Sequence, residues 1–169
     1  MEKEKNMKKW TNILLFEGEY LNEKRNGKGK EYHDNNKLRF EGEYFKGERN
    51  GIGKEYYSYS KLKFKGVYLN GKRWNGKGFN KEGKIDFEIK EGNGKGKEYY
   101  DFGILEFEGE YLNGEWNGKG KEYYIDDKLR FKGEYLIGKK NGKGKEYYSD
   151  GKLIFEGIYL DGKRCNGKG

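Results

Sequence analysis

The sequence predicts an all-β protein, an elongated single-layer antiparallel array of β-hairpin repeats about seven units long. Three observations carry the prediction. The motif Phe-x-Gly-x-Tyr recurs as Phe16/Gly18/Tyr20, Phe40/Gly42/Tyr44, Phe64/Gly66/Tyr68, Phe107/Gly109/Tyr111, Phe131/Gly133/Tyr135 and Phe155/Gly157/Tyr159, its phenylalanines 24 residues apart except across one gap of 43. Around each copy, side chains alternate with a period of two, as in KLIFEGIY, which marks a half-buried strand rather than a helix. Asn-Gly pairs at 26, 50, 75, 93, 117, 141 and 166 supply the positive φ of tight turns and predict the hairpin connections there.

Taken in order, residues 1–12 form an N-terminal lead-in and 13–169 the array. The lead-in, MEKEKNMKKW, is mixed in charge, and the apolar run after it, Ile13 to Phe16, is too short for a signal segment or a membrane span. Within each unit the motif strand is followed by a second strand of the form GKGKEYY, and return turns fall at Asn35-Asn36 and Asp150-Gly151. The meander predicted is about thirteen short strands, spaced about 4.8 Å apart. The long gap holds a degenerate unit at about 79–96, centred on Phe87 with Ile89 in place of the glycine. Glycine weakens a strand interior unless something must lie close to the backbone. Each motif glycine sits two residues from Phe and two from Tyr on one face, so rings from neighbouring strands are predicted to lean over it.

Composition sets the remaining bounds. Leu, Ile, Val and Phe number only 32 of 169 residues, a level at which a highly charged chain is suspected of disorder. The 16 Tyr, 10 Phe and 3 Trp, placed at fixed spacing, answer that suspicion, because rings bury more area than aliphatic side chains. The single Cys165 excludes a disulfide framework and points to an intracellular, cytoplasmic setting. Cys165 and His33 are too far apart along an extended stack to form a nucleophile pair, and no metal-ligand cluster or cofactor motif is present. The repeated NGKGK lacks the Ser/Thr and following helix of a phosphate-binding loop. The expectation is a protein that is not an enzyme and takes no cofactor.

The repeated unit, most cleanly FEGEYLNGEWNGKGKEYY at 107–124, resembles the MORN repeat, with its aromatic-x-Gly-x-aromatic strand, Gly-Lys turn and Gly-x-Gly lead into a second strand. The order KEYY, GKL, FEG is also similar to MORN-like repeats of bacterial antitoxin-type proteins. Tyr stands where the family usually has Trp, and the last unit stops at Gly169 without its second strand. The resemblance implies a single-layer β scaffold that binds protein partners, often at membranes or cytoskeleton, and implies no reaction.

Two sets of candidate residues follow. Trp74, Trp116 and exposed members of the Tyr rows, Tyr44, Tyr68, Tyr111 and Tyr135, are expected to contact a protein partner. The basic turns, with Lys24, Arg25, Lys72, Arg73, Lys139, Lys140, Lys163 and Arg164, are expected to form a row that attracts anionic phospholipid headgroups. Lysines at hairpin ends also keep a β strip soluble and discourage edge pairing. Acid and base alternate too closely for a nucleic-acid groove. The functional expectation is a scaffold for protein–protein interaction at a membrane or cytoskeletal site, with anionic lipid binding and an antitoxin-like neutralising role as alternatives. A strand left unpaired after Tyr159 is expected to offer an edge for a homodimer.

Overall fold

The computed structural model describes residues 2–7 and 13–168, and the remainder of the predicted lead-in lies outside the described residues. The chain divides into two compact units, one reaching to Asp86 and one beginning at Phe87. The first sheet runs in chain order through β1 (Glu2–Met7), β2 (Leu14–Leu21), β3 (Lys24–Tyr32), β4 (Leu38–Phe45), β5 (Glu48–Tyr56), β6 (Leu62–Leu69), β7 (Lys72–Phe79) and β8 (Ile85–Ile89). The second runs through β9 (Gly94–Tyr99), β10 (Leu105–Leu112), β11 (Glu115–Tyr123), β12 (Leu129–Leu136), β13 (Lys139–Tyr147), β14 (Leu153–Leu160) and β15 (Lys163–Lys168). The all-β antiparallel array is therefore as expected, with fifteen strands among the described residues instead of thirteen. Two strands account for the difference in kind. The lead-in contributes β1, which pairs with β2 through Glu2↔Tyr20 to Met7↔Leu14. The unit after Tyr159 also has its second strand, because β15 pairs with β14, so the expected bare edge of β14 is covered.

The motif hairpins do not turn at the Asn-Gly pairs at 26, 50, 75, 117, 141 and 166. Each motif hairpin closes on two residues of positive φ: Asn22-Glu23, Lys46-Gly47, Asn70-Gly71, Asn113-Gly114, Ile137-Gly138 and Asp161-Gly162. These are the backbone values of a two-residue hairpin turn whose twist matches the strands. Most of the Asn-Gly pairs used to predict turns lie further along, inside the second strand, as bulges. Tyr20 faces Arg25 and Gly18 faces Gly29, so Asn26, Gly27 and Lys28 all stand opposite Glu19. Positive φ at Gly27, Gly51, Gly118 and Gly142 lets the backbone swell outward without strain. The motif glutamate then satisfies the backbone that the bulge frees. Glu43 Oε2 accepts from Ile52 N at 3.0 Å, Glu110 from Lys119 N at 3.2 Å and Glu134 from Lys143 N at 2.8 Å.

Two units break this pattern together. Where the glutamate is replaced by Val67 or Ile158, one extra residue, Trp74 or Cys165, precedes the Asn-Gly pair. The register there shortens to Tyr68↔Arg73, Val67↔Asn75 and Gly66↔Gly76, with Tyr159↔Arg164 and Ile158↔Asn166 alike. Losing the carboxylate and changing the bulge thus occur together in both units.

The core is a row of bare backbone covered by rings. Gly18, Gly29, Gly42, Gly53, Gly66 and Gly76 face one another across successive strands of the first sheet, and Gly96, Gly109, Gly120, Gly133, Gly144, Gly157 and Gly167 across the second. Phe16, Phe40, Phe64, Phe107 and Phe131 are wholly buried over this row. Each meets a tyrosine edge-on: Phe16 to Tyr20 and Tyr44 at 5.4 and 5.3 Å, Phe131 to Tyr135 and Tyr159 at 5.5 and 5.1 Å. Edge-to-face contact suits the ring quadrupoles and links each unit to the next. In the degenerate unit, Ile89 replaces the glycine and its Cδ1 reaches Gly96 beside Tyr111. It is almost fully buried, so an aliphatic side chain fills the space a ring takes elsewhere.

A methyl added at Gly42 would lie 2.7 Å from Phe40 Cζ and 2.7 Å from the Gly53 Cα. Gly42→Ala should therefore cost about 2 kcal/mol through overpacking, read as a lowered urea midpoint. An unchanged midpoint would show that the ring does not rest on the backbone.

Candidate binding surface

The ring face is closed by the protein's own cations. Arg25 lies over the Phe16 ring at 4.2 Å, Arg49 over Phe40 at 4.1 Å, Arg73 over Phe64 at 4.8 Å, Lys140 over Phe131 at 4.2 Å and Arg164 over Phe155 at 5.3 Å. At the equivalent place Trp116 stacks flat on Phe107 at 3.9 Å and donates from Nε1 to Tyr111 Oη at 3.0 Å. A guanidinium and an indole share a planar shape that covers a ring, which is why either serves.

Glu122, which is buried, and the half-buried Glu31, Glu55 and Glu146 join cations into a ladder. Glu31 accepts from Arg25 at 3.0 Å, Arg49 at 2.6 Å and the Tyr44 hydroxyl at 2.8 Å. Glu55 sits between Arg49, at 2.5 Å, and Arg73. In the second unit Glu122 takes Arg130 at 2.6 Å, Lys140 at 3.4 Å and Tyr135 at 2.7 Å, while Glu146 takes Arg164 at 2.7 Å and Tyr159 at 3.0 Å. Burial opposes the charge on Glu55, but Arg73 and Arg49 outweigh it and hold the carboxyl down at about 2. Glu31 is lowered in the same way, with burial again overcome by Arg49. The same geometry raises the Tyr44 and Tyr135 hydroxyls, first by burial and then by the adjacent carboxylates.

These facts redistribute the residues expected from sequence. Tyr44, Tyr68 and Tyr135 are at most 4% exposed, so the expectation that they present open faces is corrected: they fill the row between successive phenylalanines. Trp116 and Tyr111 are half-buried and packed together, and Trp74 is half-buried in the bulge of β7. Of the basic residues, Arg25, Arg73, Lys140 and Arg164 turn toward the rings and pair with glutamates rather than lining an outward row. Lys24, Lys72, Lys139 and Lys163 remain exposed at the hairpin ends. The signal for this split is in the sequence, since the inward cation is always the residue facing the motif tyrosine, as in Tyr20↔Arg25 and Tyr135↔Lys140.

The opposite face carries the bulge clamps and rows of charge that leave a groove between them. On the first unit a groove of about 630 Å³ is floored by Gly18, Gly29, Gly42 and Gly53, where absent side chains leave backbone between two walls. The walls bear charge in bands: Lys3 and Lys5 with Glu4 between them, Glu17 and Glu19, Lys28 and Lys30, Glu41 and Glu43, then Ile52 and Lys54. Cross-strand neighbours are thus opposite in sign, as in Lys5↔Glu17, Glu17↔Lys30 and Lys30↔Glu41. Exposed pairs of this kind, such as Lys54 with Glu41 at 3.2 Å, are worth about 0–1 kcal/mol. At the end of the groove Ile52 is 65% exposed beside Val67, its cross-strand neighbour. Among the described residues no group of three or more His, Cys, Asp or Glu could hold a metal ion, and no helix is long and apolar enough to cross a membrane.

Residues 16–37, 40–58, 107–127 and 131–152 match the MORN repeat model, and the chain is a MORN-repeat protein. MORN repeats are in general non-catalytic and associated with scaffolds that bind proteins or membranes. The hairpins built on Val67 and Ile158, those with the altered bulge, fall outside the matched segments although their glycine and ring rows continue. No curated protein matches the chain.

The ionic ladder makes stability depend on acid. The Glu55 carboxyl has a folded value of about 2, against about 4.3 when unfolded. Its stabilisation is therefore complete above the unfolded value and lost as pH falls toward the folded one. Thermal midpoints of the wild type should fall between about pH 5 and pH 2, and Glu55→Gln should flatten that slope. Equal slopes for the two proteins would remove Glu55 from the account.

Proposed function

We propose that the protein is a non-enzymatic scaffold that holds a partner polypeptide against the outer face of its strands. The glycine-floored groove of the first unit carries this reading. Its walls sum to little net charge but offer bands about 5 Å apart, the spacing of adjacent strands, which suits a segment of alternating charge better than a uniform polyanion. Ile52 and Val67 add an apolar anchor at one end. The ring face is a poorer candidate because its tyrosines and cations are already committed to the fold. An intracellular location fits the single exposed Cys165. A neutralising, antitoxin-like role would use the same face, the partner being the protein inhibited.

A second reading, attraction to anionic lipid, is supported by Lys24, Lys46 and Lys72 standing beside exposed Leu21, Phe45 and Leu69 at the hairpin ends. The withdrawal of Arg25 and Arg73 leaves it fewer cations than the sequence suggested.

Affinity capture from native cells with wild type and with the double variant Lys28→Glu/Lys30→Glu separates these readings. A protein retained by the wild type and lost with the variant, whose melting is unchanged, is the expected result. Identical captured sets would sink the groove reading, and retention of phosphoinositide vesicles with no protein would favour lipid.

A further inference from the structure

One feature of the outer face runs against the fold's own rule. Along the row beside the glycines of the second unit, Glu108 faces Lys121, Lys121 faces Lys132, Lys132 faces Lys145, and Lys145 faces Glu156. Three lysines stand side by side where every other position in this stretch alternates in sign. Like charges directly opposite across strands are destabilising. The exchange responsible is a single one, FKGE at 131–134 in place of FEGE at 107–110.

The surroundings sharpen the anomaly. Lys121 leans to Glu108 and Lys145 to Glu156, both at 2.9 Å, so the outer two cations are drawn away and Lys132 is left exposed between them. Lys119 and Lys143 are exposed in the neighbouring row, and the carboxylates there, Glu110 and Glu134, are turned onto the Lys119 and Lys143 backbone N–H groups. One tyrosine also lacks the carboxylate its counterparts meet. Tyr32, Tyr56 and Tyr123 each donate to the motif glutamate of the preceding strand, at 3.2, 2.7 and 2.7 Å to Glu17, Glu41 and Glu108. Tyr147 holds the same position in its repeat, and there the carboxylate is replaced by Lys132.

We infer that Lys121, Lys132, Lys145 and the Tyr147 hydroxyl form a site for a compact oxyanion, a phosphate monoester carried by a side chain of a partner polypeptide. Three ammonium groups and one hydroxyl match the several oxygens and double charge of such a group. The exposed Lys145 pair and the half-exposed Lys121 pair are weak enough to exchange their glutamates for the ligand. The flanking Glu108 and Glu156 set the class of partner: a broad anionic surface would press on them, whereas one phosphate fits between. The first unit repeats the lysine triad as Lys54↔Lys65↔Lys77, but Phe79 stands at the end of β7 and no tyrosine hydroxyl is supplied there, so it serves as an internal control. The inference rests on the scaffold reading only in placing the phosphate on a polypeptide.

The test is titration of the full chain with a neutral Gly/Ser decapeptide bearing one phosphoserine, against the unphosphorylated peptide. The phosphorylated peptide should bind at least ~10-fold tighter. Lys132→Glu should abolish that preference while melting no lower than wild type, because it restores the alternation, and Tyr147→Phe should weaken it severalfold. Lys65→Glu should leave it in place. Equal binding of the two peptides overturns the proposal, as does a preference that survives Lys132→Glu, a lowered melting temperature for that variant, or anionic vesicles that bind with the same dependence on Lys132. Failure to capture a cellular partner would touch the scaffold reading and leave this titration as it stands.

Discussion

A phenylalanine ring resting on the paired backbone of two glycines is the contact on which the other features depend. The ring needs both side chains beneath it to be absent, which sets glycine opposite glycine across every strand pair in the row. Because one ring spans two strands and meets the tyrosine of the following unit, each repeat is completed only by its neighbour. This is how a chain with few aliphatic residues gains enough buried area to fold. No thick core is required, since the rings, glycines and cations make a layer one side chain deep.

The polar half of that layer is equally specific. A glutamate placed beside a phenylalanine would be costly alone, but Glu31, Glu122 and Glu146 are each held by cations and by a tyrosine hydroxyl, and Glu55 by Arg49 and Arg73. Arginine serves here better than a point charge, since its flat guanidinium covers the ring while its edge reaches two carboxylates. Arg49, bridging Glu31 and Glu55, does both. The Asn-Gly bulge and its glutamate clamp form a second device, on the other face, that fixes where the strand widens. The two faces therefore divide the work: one is consumed by the ring layer, and the other carries the bulge clamps and rows of charge. On the outer face a departure from alternation costs little in packing.

Much of this was legible before the structure. The 24-residue period, the alternation within KLIFEGIY and the glycine between two aromatics were enough to give hairpins in a meander and rings over bare backbone. The turn positions were misread for a physical reason. Asn-Gly favours positive φ wherever it occurs, and positive φ serves a bulge as well as a hairpin. The tyrosines and basic residues were misplaced because spacing gives the face of a strand but not how far a long side chain folds back across it. Arg25 and Lys24 are adjacent in sequence, yet one lies over Phe16 and the other is in solvent.

The sequence by itself determined the repeat, the strand alternation and the aromatic–glycine register, because these depend on local periodicity and on the absence of a Cβ. Only the tertiary structure decided which cations are buried, which hydroxyls meet carboxylates and where like charges stand together. Those outcomes depend on cross-strand register set by bulges, and a bulge shifts partners by residues that no single strand records.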